Sequence, residues 1–495
     1  MPQLRSHVMT AFRFRSLPVA ALIAAGVAVP PLMAPVALAS QHELLAQAKA
    51  AHADHDHATA AKVAAAGVLD QATVNALRAA PLPKQVDAKA TALLDRLASS
   101  AQIQRALAVI KADEPRFVQE AIQLSEIPAP TFEEAKRAQA YAALLKANGL
   151  NTVHIDSINN VIGVRKGSAN GPKIAILAHL DTVFDAKTDV KVKKKGDVLF
   201  GPGLTDDSAA LASMLSWLRA MNQANISTPG DLYFVGTVGE EAAGDLRGAK
   251  QFFRDHTDMA GAVILEPAPP NVAAIAQNAT IRLEVSFKGP GGHAFAAYGQ
   301  VPSAVHAMGR LIAKMSDMPI PTTPRTSFTV GTANGGDYVS KIAPTASMKL
   351  EIRSLSRQNV EALAKQVETY AKQAVAEENK RWGVTTLSMS IKEFATRLGG
   401  MTPPDHPVVM AWMAAANKQG VKPFALAVAS TDAAVPLSQG IPTLALGFGG
   451  VTGGFHALDE NWNPTNAYRG VQISFLTTLA MAGVDGLSQP LVSKP

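Results

Sequence analysis

Lys173-Ile-Ala-Ile-Leu-Ala-His179-Leu-Asp181-Thr-Val183 is the stretch that decides how this chain is read. Lys173 to Ala178 has the length and apolar character of a buried strand, and it delivers an imidazole and a carboxylate where it ends. The pattern recurs. Asp231 to Val238 leads into Gly239-Glu240-Glu241, and Ala262 to Leu265 leads into Glu266. Thr205-Asp206-Asp207 opens a helical pattern over Ser208 to Ala224, and Phe455 to Glu460 adds a second imidazole, His456. In open α/β sheets the ligand crevice lies at the carboxyl ends of the strands. The expected fold is therefore α/β: a mixed, mostly parallel sheet flanked by helices, with these side chains gathered on one rim.

Between these stretches the pattern changes. Ile281 to Phe287 alternates, Val301 to Met315 is helical, and Ser327 to Thr332 and Ser347 to Ile352 read as strands. Helix Val360 to Ala376 and strand Thr385 to Ile391 follow. Strand, helix, strand, strand, helix, strand is the split βαβ order of an antiparallel α+β unit. Residues 280–392 thus read as an insertion between catalytic parts at 113–279 and 393–495, the sheet pattern resuming at Pro442 to Leu446 and ending in helix Asn466 to Ala482.

The first 39 residues read as a removable export signal. Arg5, Arg13 and Arg15 precede an apolar stretch from Leu17 to Ala34, and Ala37-Leu38-Ala39 fits a cleavage site before Ser40. Cleavage implies a periplasmic or secreted protein with no membrane association afterwards; a retained anchor is the alternative, disfavoured by Pro30, Pro31 and Pro35. Residues 40–112 are alanine-rich and read as a helical leader outside the main fold, bearing His52-Ala-Asp-His-Asp-His57, a tract of metal-binding composition. Removing the signal lowers the net charge from +6 by its three arginines. The residual balance gives no reason to expect a nucleic-acid partner, and Lys191 to Lys195 reads as an exposed hairpin. Zero cysteines exclude disulfides and thiolate metal sites.

Two imidazoles with several carboxylates and no thiolate suit zinc, manganese or cobalt. Two divalent ions ~3.5–4 Å apart can polarise a carbonyl and activate water for amide hydrolysis. Ions that close repel, so a carboxylate must bridge them, and Asp206 is the natural bridge. Glu240 and Glu241 sit adjacent on a turn where side chains diverge, so one can bind metal while the other serves as general base. Taken singly, His-x-Asp is common and Asp-Asp or Glu-Glu is ordinarily a solvated helix start. Their joint occurrence after apolar runs carries the reading.

The arrangement resembles the dinuclear zinc exopeptidase and aminoacylase family, which includes glutamate carboxypeptidase, peptidase T and succinyl-diaminopimelate desuccinylase. The likeness runs from about Ala121 to the last helix and rests on Ala178-His-Leu-Asp-Thr-Val183 and Gly201-Pro-Gly-Leu-Thr-Asp-Asp207. It implies metal ligands His179, Asp206, Glu241, Glu266 and His456 around two zinc ions, Glu240 as base, and Asp181 as the catalytic-site partner of the His179 ring. It also implies a cis peptide between Asp206 and Asp207. The inserted block is similar to the family's lid and dimerisation domain, which implies a homodimer. His293 in Gly289-Pro-Gly-Gly-His-Ala would reach the partner's site, and Arg353 in Glu351-Ile-Arg-Ser would bind a substrate carboxylate. Two positions depart from the family pattern: Ser208 where lysine is usual, and Ser340 where asparagine is usual.

The expected protein is an exported exopeptidase for short peptides with a carboxypeptidase lean, since Glu rather than Asp at 266 resembles carboxypeptidase and deacylase members more than aminopeptidase-type ones. An N-acyl-amino-acid deacylase would use the same site. The rival from another class is a non-catalytic metal- or solute-binding protein, which would have no use for Glu240.

Overall fold

The computed structural model describes residues 78–495. The signal at 1–39 and the histidine tract at 52–57 lie outside the described residues.

The central sheet is mixed. Its strands run in the order Arg78–Ala80, Ala425–Ala429, Val272–Gln277, Thr443–Gly447, Met259–Glu266, Lys173–His179, Leu232–Thr237, Val161–Arg165, Thr152–Ile155. Four of these, Thr443–Gly447, Met259–Glu266, Lys173–His179 and Leu232–Thr237, are consecutive and mutually parallel. Their register places His179 opposite Thr237 and Gly447 opposite Glu266, so their carboxyl ends form one level rim. Strand Lys173–His179 is buried from Ile174 onward, as the continuous apolar run requires for a strand covered on both faces. Helices Ala209–Gln223 and Tyr468–Ala482, buried nearly all round, cover the sheet.

The alanine-rich segment corrects the sequence reading in its described part. Helices Ala88–Ser99 and Ala101–Ala112 do not lie outside the main fold. Leu94, Leu97, Ile103, Leu107 and Ile110 are at most 7% exposed and belong to the main core, each side chain stabilising it by about 1.5–3 kcal/mol. Strand Arg78–Ala80 adds an antiparallel edge to the central sheet through Ala425–Ala429. Alanine was the misleading signal: small side chains let helices approach closely, which suits a core as well as a leader.

The inserted block has the expected order. Its antiparallel sheet runs Thr326–Gly335, Thr345–Ser354, Ala279–Lys288, Ser388–Arg397, with helices Ala304–Ser316 and Arg357–Trp382 packed on a separate apolar core. The last strand continues past residue 392 to Arg397. A third, four-stranded sheet, Val451–Gly453, Asn461–Asn463, Val198–Phe200 and Lys193–Lys195, holds the loop that bears His456. Its outer strand is the exposed lysine hairpin.

Candidate metal centre

Each implied ligand comes to the rim by its own local logic. His179 ends its strand, and its backbone N–H donates to Asp207 Oδ2 at 2.9 Å. The Asp206 loop bends sharply at Gly203, whose φ of +74° and approach to Thr182 (2.5 Å from a Cβ built there) leave no room for a side chain. The Asp206–Asp207 peptide is cis, as the resemblance implies. Glu240 and Glu241 follow strand Leu232–Thr237, and Asp181 clamps them: its Oδ1 accepts from the Glu240 N–H at 2.9 Å and its Oδ2 from the Glu241 N–H at 3.0 Å. The Thr131 hydroxyl donates to the same carboxylate at 2.8 Å. Asp181 also orients the His179 ring, although Nδ1 lies nearer its carbonyl (2.9 Å) than its Oδ1 (3.6 Å).

Asp206 stands between the two imidazoles. Its Oδ1 is 2.8 Å from His179 Nε2 and its Oδ2 is 3.2 Å from His456 Nε2. His456 Nε2 is also 3.1 Å from Glu241 Oε1. One carboxylate thus presents one oxygen to each half of the site, which is the arrangement a bridge needs. Asp206, Glu241 and His456 can converge on one ion, while His179 and Glu266 converge with Asp207 on a second position. All five implied ligands are therefore brought together.

The electrostatics show what the site lacks. Burial raises the carboxyls of Asp207 and Glu266 well above the usual range, and pushes Glu240 up to about 8 and Asp432 to about 6. His456 is held up at about 10 by its hydrogen bonds to Asp206 and Glu241. Burial alone would depress His179, yet Asp181 and Asp206 outweigh it and hold the ring well above its ordinary value. Asp207 Oδ1, Glu266 Oε1 and Asp432 Oδ1 are buried without a hydrogen-bond partner. Buried carboxylates in excess of cations, with oxygens unpaired, are the donor set that divalent ions satisfy, and the residues fit the implied pair.

His293 and Arg353 are not brought to this cluster. His293 is exposed on a two-residue ladder with Lys341, and its Nδ1 accepts from the Phe295 and Ala296 N–H groups at 3.3 Å. The Arg353 guanidinium is engaged by Glu351, which a second arginine, Arg282, also contacts at 2.8 Å.

Three functional side chains escape the sequence reading. Arg397 contacts Glu240, Asp432 accepts from the Thr237 hydroxyl at the rim, and Glu460 is fully buried behind Asp206. Glu460 Oε1 accepts from the Thr205 N–H (2.7 Å), Thr205 hydroxyl (2.6 Å) and Asp206 N–H (3.1 Å), and Oε2 from the Gly203 N–H (2.9 Å). Glu460 and Asp432 carried the signal already used, an acid beside an apolar strand or a histidine. Arg397 carried none.

The sequence pattern described as Peptidase family M20/M25/M40 matches residues 175–479. An uncharacterised protein of Bacillus subtilis (strain 168), YqjE, is 25% identical over 351 residues, spanning 68% of this chain and 91% of that protein. Carboxypeptidase G2 of Pseudomonas sp. (strain RS-16) is 25% identical over 223 residues, 43% of this chain and 52% of that enzyme. The crystal structure of aminopeptidase PepT from Bacillus cereus ATCC 10987 superposes with a TM-score of 0.61 at 22% identity, covering 74% of this chain and 99% of that one, and supports the fold.

Proposed function

The chain belongs to peptidase family M20/M25/M40 and is a metal-dependent hydrolase of peptide or acyl-amide bonds, and on that premise we propose that it is an exported zinc exopeptidase for short peptides that releases C-terminal residues. One observation carries the catalytic part of this reading: Glu240 lies beside the ligand Glu241 at the rim, 6% exposed, with Oε1 held by Arg397 and Oε2 left free. A metal-storage or solute-binding protein has no use for such a group. The name of the carboxypeptidase relative supports the substrate lean, and Glu at 266 supports carboxypeptidase or deacylase over aminopeptidase action. The amino-terminal signal pattern supports export to the periplasm or medium.

His179, Asp206 and Glu266 would hold one ion, and Asp206, Glu241 and His456 the other. Bound there, the ions supply Lewis acidity toward the scissile carbonyl and make water more acidic. Asp206 keeps the two positions in register through its two oxygens. Asp181 fixes the Glu240–Glu241 turn through both N–H groups, so base and ligand cannot exchange places by rotation of the backbone. Glu240 Oε2 accepts the proton of the attacking water and returns it to the departing nitrogen. In a homodimer paired through the inserted block, His293 serves the neighbouring site, where an imidazole N–H stabilises the developing oxyanion.

Purified protein loaded with zinc is to be screened against dipeptides, N-acyl amino acids and C-terminal peptide libraries. Glu240→Gln should keep metal stoichiometry and lose at least ~100-fold in turnover; near-wild-type turnover in that variant overturns the assignment. Mixing Glu240→Gln and His293→Ala chains should restore activity in heterodimers. A monomeric mass with no complementation removes the dimer from the proposal.

A further inference from the structure

Glu240 poses a problem of its own. Ligand atoms of His179, Glu240 and Glu241 lie within 4.8 Å of one another, so the geometry of the turn does not stop Glu240 from joining an ion. A coordinated carboxylate would no longer be a good proton acceptor. Something must hold it back.

Arg397 is placed to do this. It ends the last strand of the inserted block, opposite Thr280, and is 4% exposed. Nη1 donates to Glu240 Oε1 at 3.1 Å, and Nη2 donates to the Glu240 carbonyl at 2.8 Å. Nη1 also donates to the Ser430 carbonyl (2.7 Å) and hydroxyl (2.8 Å), which anchors the guanidinium on the catalytic side. Neighbouring contacts tie the same loop to the block: the Thr396 N–H donates to Asp245 Oδ1 at 3.0 Å, and Arg282 donates to the Ala242 carbonyl. A guanidinium stays charged throughout the working pH range, and its bonds to a carboxylate are strong in a buried setting. It therefore competes with an ion for Oε1.

We infer that Arg397 is a positioning residue that keeps Glu240 out of the metal ligand set and aimed as proton acceptor. This rests on the reading of Glu240 as base. The full-length enzyme loaded with zinc is to be compared with Arg397→Met, Arg397→Lys, Glu240→Gln and the Arg397→Met/Glu240→Gln double variant for kcat, KM and zinc affinity by chelator competition. Arg397→Met should lose about 100-fold in kcat, the scale of a misplaced base, with KM within about threefold and zinc bound as tightly as in the parent or more tightly. Arg397→Lys should recover part of the rate, and the double variant should be no slower than Glu240→Gln, as coupled residues require. Millimolar guanidinium should restore part of the Arg397→Met rate. Near-wild-type kcat in Arg397→Met beside a dead Glu240→Gln overturns the inference alone; so does weakened zinc binding that accounts for the lost rate, which is what a merely structural role would produce. Active Glu240→Gln overturns the base reading beneath it. Should Arg397→Met not fold, Arg397→Lys decides: a full rate with unchanged zinc affinity overturns the inference.

Discussion

Two clusters of buried charge lie in the catalytic part, and they are built to opposite rules. Around Arg219, Asp113 and Glu120 are each gripped by the guanidinium: Nη2 reaches Glu120 at 2.9 Å, Nη1 reaches Glu120 at 3.0 Å and Asn148 at 2.9 Å, and Nε reaches Asp113 at 2.9 Å. Arg116 adds a second cation to Glu120 at 3.0 Å. Two carboxylates meet two guanidiniums, and none of these side-chain atoms appears among the buried unpaired ones. At the rim, carboxylates outnumber the cations facing them, and three oxygens are orphaned. The first cluster is finished and the second awaits positive charge. Buried charge by itself therefore marks no site; surplus charge of one sign does.

The contrast can be broken by experiment, beginning with the largest effect. Arg219→Met strands Asp113 and leaves the buried Glu120 to the exposed Arg116 alone, and we expect about 3 kcal/mol of lost stability with kcat per folded molecule unchanged. Denaturant unfolding beside active-site titration checks this, and a kcat change would blur the two classes. Asp207→Asn should act with opposite signs in the two states. In the metal-free protein it removes a carboxyl whose ionisation burial opposes and whose Oδ1 has no partner, and so raises Tm, whereas zinc affinity should fall about 10–100-fold, as for other groups that orient ligands. A lower Tm in the metal-free variant would show that the Asp207 carboxyl is not a burden on the fold.

The pH dependence of the metal-free protein is a smaller effect of the same origin. Glu240 and Asp432 have folded-state values raised to about 8 and about 6, and His456 to about 10. For each group the folded state binds protons more tightly than the unfolded one, so stability falls as pH rises through these values. The metal-free protein should melt lower at pH 8 than at pH 5, by about 1–2 °C if the net effect is roughly 1 kcal/mol. Bound zinc displaces the protons, so the gap between loaded and metal-free Tm should widen with pH. A metal-free Tm that rises over that range contradicts the surplus-charge picture. Of similar size, Thr131→Val removes a neutral donor to Asp181 and should cost about 1 kcal/mol, read by thermal unfolding with kcat nearly retained.

How much of this could be read without coordinates follows from the same contrast. The five ligands were legible only jointly: His179, Glu241 and Glu266 follow apolar strands, Asp206 opens a helix and His456 adds the second imidazole, and motifs that are ordinary singly converge. The split βαβ block was legible from its change of hydrophobic period. Helices Ala88–Ser99 and Ala101–Ala112 were misplaced because alanine reports helix propensity and says little about which face is covered. Arg397 was invisible for a different reason: an arginine ending an alternating strand has no local oddity, and its meaning exists only where the strand meets Glu240. Arg353 shows the reverse, a motif match whose guanidinium is occupied by its own neighbour, Glu351.

Glu460 also says something about when the site can exist. Its carboxylate buckles the loop of Asp206 to the hairpin of His456 across a sequence separation of 255 residues, with the whole inserted block threaded between them. Contacts so distant along the chain are closed late in folding, because their loop entropy must be met first. During synthesis His456 and Glu460 emerge after Asp206 and the whole inserted block. A partly made or half-folded chain therefore carries His179, Asp206 and Glu241 without the clasp that sets them against the second imidazole. Synthesis of the His456 hairpin and assembly of the second ion position are thereby coupled, so a chain that stops short of it offers no finished cage in which an ion could be trapped early.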